Sequence, residues 1–96
     1  MSTQQPLFLD ADAELPEVIQ RMRSSTSAQV ALVIPASSQL GSSRLNLKLI
    51  QQYAQRLGKH VVVVSPDPKV GGLASDLGIS AYPSVAHYQQ AYGLVG

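Results

Sequence analysis

Two rhythms of apolar residues alternate along this chain. Short runs at Leu7–Leu9, Val30–Ile34, Val61–Val64 and Ile79–Tyr82 have the length of strands. Between them, apolar positions recur at the i, i+3, i+4, i+7 spacing of one helix face. Leu15, Val18, Ile19 and Met22 form the first such set, and Val70, Leu73, Ala74 and Leu77 the third. In the second, Leu45, Leu47, Leu49, Ile50, Tyr53, Ala54 and Leu57 cover an arc about 200° wide at 100° per residue. Pro83-Ser84 opens a last helical turn that places Val85, Tyr88 and Tyr92 on one side.

The punctuation agrees with these elements. Pro16 fits only a first helical turn, where its missing N–H is harmless. Ser42 or Ser43 can cap the second helix, and Asp67 followed by Pro68 can start the third. Gly58 and Gly78 stand where helices end in a left-handed residue. The pair Gly71-Gly72 costs up to about 2 kcal/mol of helix propensity. It marks either the least stable helix or one whose backbone lies close to a neighbour.

The stretch Gln29–Ser65 reads strand, polar loop, amphipathic helix, glycine, strand, which is a parallel pair joined by a right-handed crossover. Its two strands do not alternate, as expected of strands buried on both faces. The whole order is βαβαβαβ. This predicts a small three-layer α/β sandwich on a four-stranded, mostly parallel sheet, a Rossmann-like or flavodoxin-like half fold, with the valine-rich strands central. Ligands of open α/β sheets bind beyond the C-terminal strand ends, so polar loops at that edge are where a site is expected.

Composition narrows the function more than it names it. At 96 residues the chain is one domain. A net charge of +1 and a charged fraction of 14% give no global attraction to nucleic acid or to a membrane surface. Acids nevertheless precede bases: Asp10, Asp12, Glu14 and Glu17 come first, then Arg21, Arg23, Arg44, Lys48, Arg56 and Lys59 without an intervening acid. There is no cysteine, hence no disulfide framework and no thiolate chemistry. No apolar run reaches membrane-spanning length, and no secretory leader pattern opens the chain.

Four candidate chemistries follow from the residues. Loop 36–44, with Ser37, Ser38, Gly41, Ser42, Ser43 and Arg44 at a helix start, has the groups for holding a phosphate. It matches neither the dinucleotide nor the P-loop glycine pattern. Asp10, Asp12 and Asp67 follow strands and are faintly similar to the acidic, magnesium-binding edge of receiver domains, without the strand-end lysine or a fifth strand. His60 and His87 have no metal-ligand spacing, and no nucleophile-elbow G-x-S-x-G is present. Asn46 projects from the middle of an apolar arc; its amide is expected to satisfy a loop carbonyl beneath the helix start, the alternative being that it faces a ligand.

The segments V-A-L-V-I-P, S-S-R-L-N-L-K-L-I, L-G-K-H-V-V-V-V-S-P-D-P and L-A-S-D-L-G-I-S-A-Y-P-S-V, spanning about Leu7 to Val85, resemble an N-terminal domain of uncharacterised bacterial proteins from cyanobacteria, chloroflexi and actinobacteria. R-L-N-L at Arg44–Leu47 is the most specific part. In that family the domain often precedes a linker and a membrane segment, and some long members carry a phage-baseplate-like label. The resemblance implies a cytoplasmic, membrane-tethered module of a longer chain. It brings no catalytic residues. The abrupt end at Gly96, after the apolar Leu94 and Val95, points the same way.

The sequence therefore predicts a non-enzymatic interaction or regulatory module without a cofactor. Its partner would be another protein, the rest of its own chain or a second copy, with no nucleic acid and no membrane insertion of this segment. The alternative is a small-ligand or phosphate-binding domain using loop 36–44 and Asn46.

Overall fold

The computed structural model describes residues 6–26 and 28–91. Its order is β1 (Leu7–Phe8), α1 (Leu15–Ser24), β2 (Gln29–Val33), α2 (Arg44–Arg56), β3 (His60–Val64), α3 (Pro68–Asp76), β4 (Ser80–Tyr82) and α4 (Val85–Ala91). The strands form one sheet in the order β1-β2-β3-β4, with all three pairings parallel. This is the expected α/β class, and the valine-rich strands are central.

Local signals set the helix ends. The Ser43 hydroxyl accepts from the backbone N–H of Asn46 at 3.3 Å, and Asp67 Oδ1 accepts from that of Lys69 at 3.0 Å. Each satisfies an N–H that the first helical turn leaves without a partner. Pro16 and Pro68 sit in first turns. Gly58 and Gly78, with φ of 70° and 79°, occupy the left-handed region after α2 and α3, where a Cβ would clash with the following carbonyl.

Strand pairing sorts side chains between the two faces. Val30 lies opposite Val61 and Leu32 opposite Val63, and with Ile34 they form one apolar face. Ala31 lies opposite Val62 and Val33 opposite Val64 on the other. Consecutive strands are spatial neighbours in one direction, so right-handed crossovers send α1, α2 and α3 to the same face. The packing agrees. Val18 and Met22 of α1, Leu47, Ile50 and Ala54 of α2, and Val70 and Ala74 of α3 share one core with Val30, Leu32, Ile34, Val61 and Val63.

The third layer is α4 alone. Tyr88, fully buried, packs on Ala31, Val62 and Val64. Its ring meets Tyr82 edge-on at 5.9 Å, and its hydroxyl accepts from Gln29 Nε2 at 3.0 Å. Seven residues cannot cover four strands. Val33 is half-buried, and Phe8, which pairs with it across β1 and β2, is 61% exposed. The expected turn through Tyr92 extends past Ala91, and Tyr92, Leu94 and Val95 lie outside the described residues.

The glycines separate two demands. A Cβ at Gly41 would stand 2.6 Å from Ile34 Cγ2 and 3.1 Å from Val70 Cγ2, so loop 36–44 is pressed onto the core there. At Gly71 and Gly72 a Cβ would meet nothing within 4 Å. The close approach entertained for this pair does not occur, and the propensity cost stands unrelieved. Gly72→Ala is therefore expected to stabilise the domain by about 0.5–1 kcal/mol. Gly41→Ala should destabilise it by about 1–3 kcal/mol through overpacking, and Val63→Ala by about 1–3 kcal/mol through lost burial and a cavity. Urea melts of the three variants check both signs.

Candidate functional site

The polar loops after β1, β2 and β3 emerge at one edge of the sheet. Loop 36–44 spends most of its polar groups on itself. Ser38 is buried and its hydroxyl accepts from Gly41 N–H at 3.4 Å. The Ser42 hydroxyl donates to the Gln39 carbonyl at 3.0 Å, and Ser43 caps α2. Arg44 turns away toward α3, where its guanidinium lies 3.7 Å from Asp76 in an exposed ion pair, a contact worth little in water. Of the residues proposed to hold a phosphate, the structure leaves Ser37 and Asn46 facing a cleft and commits Ser38, Ser42 and Ser43 to the loop's own backbone.

That cleft, about 750 Å³, opens between the loop after β1 and the loop after β2. Asp12 and Glu14 form one wall, Ser37, Gln39 and Asn46 the other. Asn46 is half-buried, and its side-chain amide forms no hydrogen bond among the described residues. The expected bridge to a loop carbonyl is absent. The Ser38, Ser42 and Ser43 hydroxyls already serve the turn and the helix start, and Asn46 is left against open space.

The acidic-edge reading is overturned by strand order. A receiver-type site needs its first and third strands adjacent. Here β2 lies between β1 and β3, so loops bearing Asp10 and Asp12 stand two strand spacings, about 10 Å, from that of Asp67. Asp67 is moreover occupied as a helix cap. No group of three or more His, Asp or Glu that could hold a metal ion occurs among the described residues. His60 is exposed at the start of β3. His87 Nδ1 lies 2.7 Å from the Ser84 hydroxyl, which also accepts from the His87 N–H, a contact local to the start of α4. The order β1-β2-β3-β4 also contains no reversal, so none of the crevices opened by a reversal of strand order occurs within the sheet.

A second surface feature, more apolar than the cleft, lies on the helical layer and was not singled out from the sequence. Leu15, Pro16 and Ile19 of α1 face Leu49 and Tyr53 of α2 across a groove of about 670 Å³. Leu15 and Pro16 also line the cleft, so cleft and groove form one trough. Leu45, on the same side of α2, is 64% exposed. The signal was the width of the apolar arc. The residues of α2 buried in the core, Leu47, Ile50 and Ala54, span only about 60° of the wheel at 100° per residue. Of the remainder, Tyr53 and Leu57 pack partly against the core, Leu49 is half-buried and Leu45 is exposed.

Comparison of the chain with protein-family models, with curated proteins and with solved structures gave no match in any of the three.

Two outcomes follow. Asn46→Leu removes no side-chain hydrogen bond, so stability should stay within about 0.5 kcal/mol of the parent or rise; a urea melt showing a larger loss would restore the bridging role. Nucleotide affinity should be weaker than about 1 mM, near −4 kcal/mol, because one arginine turned toward Asp76 and a loop with the Ser38, Ser42 and Ser43 hydroxyls engaged present few donors. An NMR titration with ATP reads this directly, and saturable micromolar shifts confined to residues 37–44 would refute it.

Proposed function

We propose that the domain is a non-catalytic interaction module whose working surface is the trough between α1 and α2. One observation carries this reading: a groove on the outer side of the helical layer lined by Leu15, Ile19, Leu49 and Tyr53, with the exposed Leu45 one turn before Leu49 on the same side of α2. A helix packed on a sheet by one face has no intramolecular need for a second apolar face, and apolar surface gathered in a groove is the usual mark of a docking site. In a longer, membrane-tethered protein of the kind the resemblance implies, such a module would act on the cytoplasmic side and hold a protein partner.

The competing reading, a small polar ligand in the cleft, is favoured by Asn46 alone, whose amide faces that space without a partner among the described residues. The apolar trough is the larger signal, because burial of several aliphatic side chains supplies more free energy than one neutral hydrogen bond.

Site-specific photocrosslinking in cells distinguishes them. A photoreactive residue replacing Leu45 or Gln20, on the trough, should give protein adducts, identified as crosslinked peptides by mass spectrometry. One replacing Lys69, exposed on α3, should not. Absence of adducts at both trough positions, or equal labelling at position 69, would refute the assignment.

A further inference from the structure

The trough carries charge at its two ends, with the apolar Leu15, Pro16, Ile19, Leu49 and Tyr53 between them beside the neutral polar Gln20 and Asn46. Asp12 and Glu14 line the end where α1 begins. Arg23 lines the other end, and Arg56 on α2 holds its guanidinium 5.7 Å from the centre of the Tyr53 ring that lines the same groove. Among the described residues no other charged side chain lines either the cleft or the groove. Both helices run away from the same sheet edge: Asp12 and Glu14 precede α1, Arg44 at the start of α2 pairs with Asp76 of α3, and Arg23 and Arg56 stand near the helix ends. The surface is thus a strip about 15 Å long, at 1.5 Å per helical residue, negative at one end and positive at the other.

Resting on the reading of this trough as a docking surface, we infer that its occupant is a second copy of the chain, packed about a two-fold axis perpendicular to the strip. Such an axis is self-complementary: it lays residue i of one copy over j of the other and j over i. Applied here, it sets Asp12 and Glu14 of each copy over Arg23 and Arg56 of the other, twice, with the apolar floors meeting between. A parallel packing would instead oppose acid to acid and base to base, which is costly at an interface. The same axis brings Leu45, exposed in the first turn of α2, toward the basic end of the partner's groove near Ile19 and Tyr53. Leu45 is the knob that the groove takes up. An unrelated partner would need a matching acid-to-base polarity of its own. The chain already carries it.

Sedimentation velocity on the full chain, from about 5 µM to about 500 µM to span affinities near −6 kcal/mol, should show the mass rising from 10.2 kDa toward twice that value. Leu45→Arg should hold the chain monomeric. So should Asp12→Lys with Glu14→Lys, whose trough is positive at both ends, and Arg23→Glu with Arg56→Glu, whose trough is negative at both. Mixing the two charge-reversed proteins should restore the dimer, and salt should weaken the restored dimer. All five positions are exposed, and a urea melt confirms that each variant is folded. A parent chain monomeric throughout, variants that dimerise like the parent, or a mixture that fails to associate would each overturn the homodimer. A monomeric parent whose position 45 crosslinks to a different protein would overturn the homodimer alone and leave the interaction reading standing. Loss of all crosslinks would remove both.

Discussion

The parallel ladder between β2 and β3 is the constraint from which the rest of the fold follows. Five residues pair with five, Gln29 with His60 through Val33 with Val64, and in each strand the middle residues are buried on both faces. The ladder continues past the strand ends through Ile34 N–H to the Val64 carbonyl and His60 N–H to the Ala28 carbonyl, both at 2.8 Å. Parallel strands cannot be joined by a tight turn, so a helix must cross between them, and a strand with apolar residues on both sides requires cover on both. The helical layer, the short outer strands and the small α4 layer all answer those two demands.

They answer them unequally. Crossovers that always advance in the same direction put three helices on one face and leave the other to Tyr88 and its neighbours. The crowded face explains the trough. Side by side on a twisted sheet, α1 and α2 each bury a narrow stripe, Val18 and Met22 in one and Leu47, Ile50 and Ala54 in the other. Their flanks, Ile19 against Leu49 and Tyr53, meet only partly. The outer part of the apolar arc of α2 is left facing water. The sparse face has its own consequence at β1, where Phe8 stands 61% exposed beyond the reach of α4.

The edge loops show how polar groups gathered at a sheet edge can be engaged by the backbone around them. A buried or half-buried loop must first satisfy its own backbone, and loop 36–44 uses Ser38, Ser42 and Ser43 for that. Gly41 earns its place in the same loop by a different demand, because Ile34 and Val70 approach it too closely for a side chain. Asn46 and Ser37 are what remain directed at the cleft.

Element type, order and ends were determined by the sequence itself, because they rest on local physics: the valine runs, the helical period, Asp67-Pro68 and Ser43 at helix starts, Gly58 and Gly78 at helix stops. So was the central position of β2 and β3, since only strands covered on both faces read as continuous apolar runs. Only the tertiary structure decided how the helices divide between the faces, because right-handedness acts on strand order and strand order is non-local. It decided that Asp67 is separated from Asp10 and Asp12 by a strand, and that Arg44 reaches Asp76 rather than the loop. It also decided which part of the α2 arc is core and which is surface. A hydrophobic wheel records that Leu45 and Ile50 are apolar; which of them meets the sheet depends on where the neighbouring helix lies, and that is set by the packing of α1.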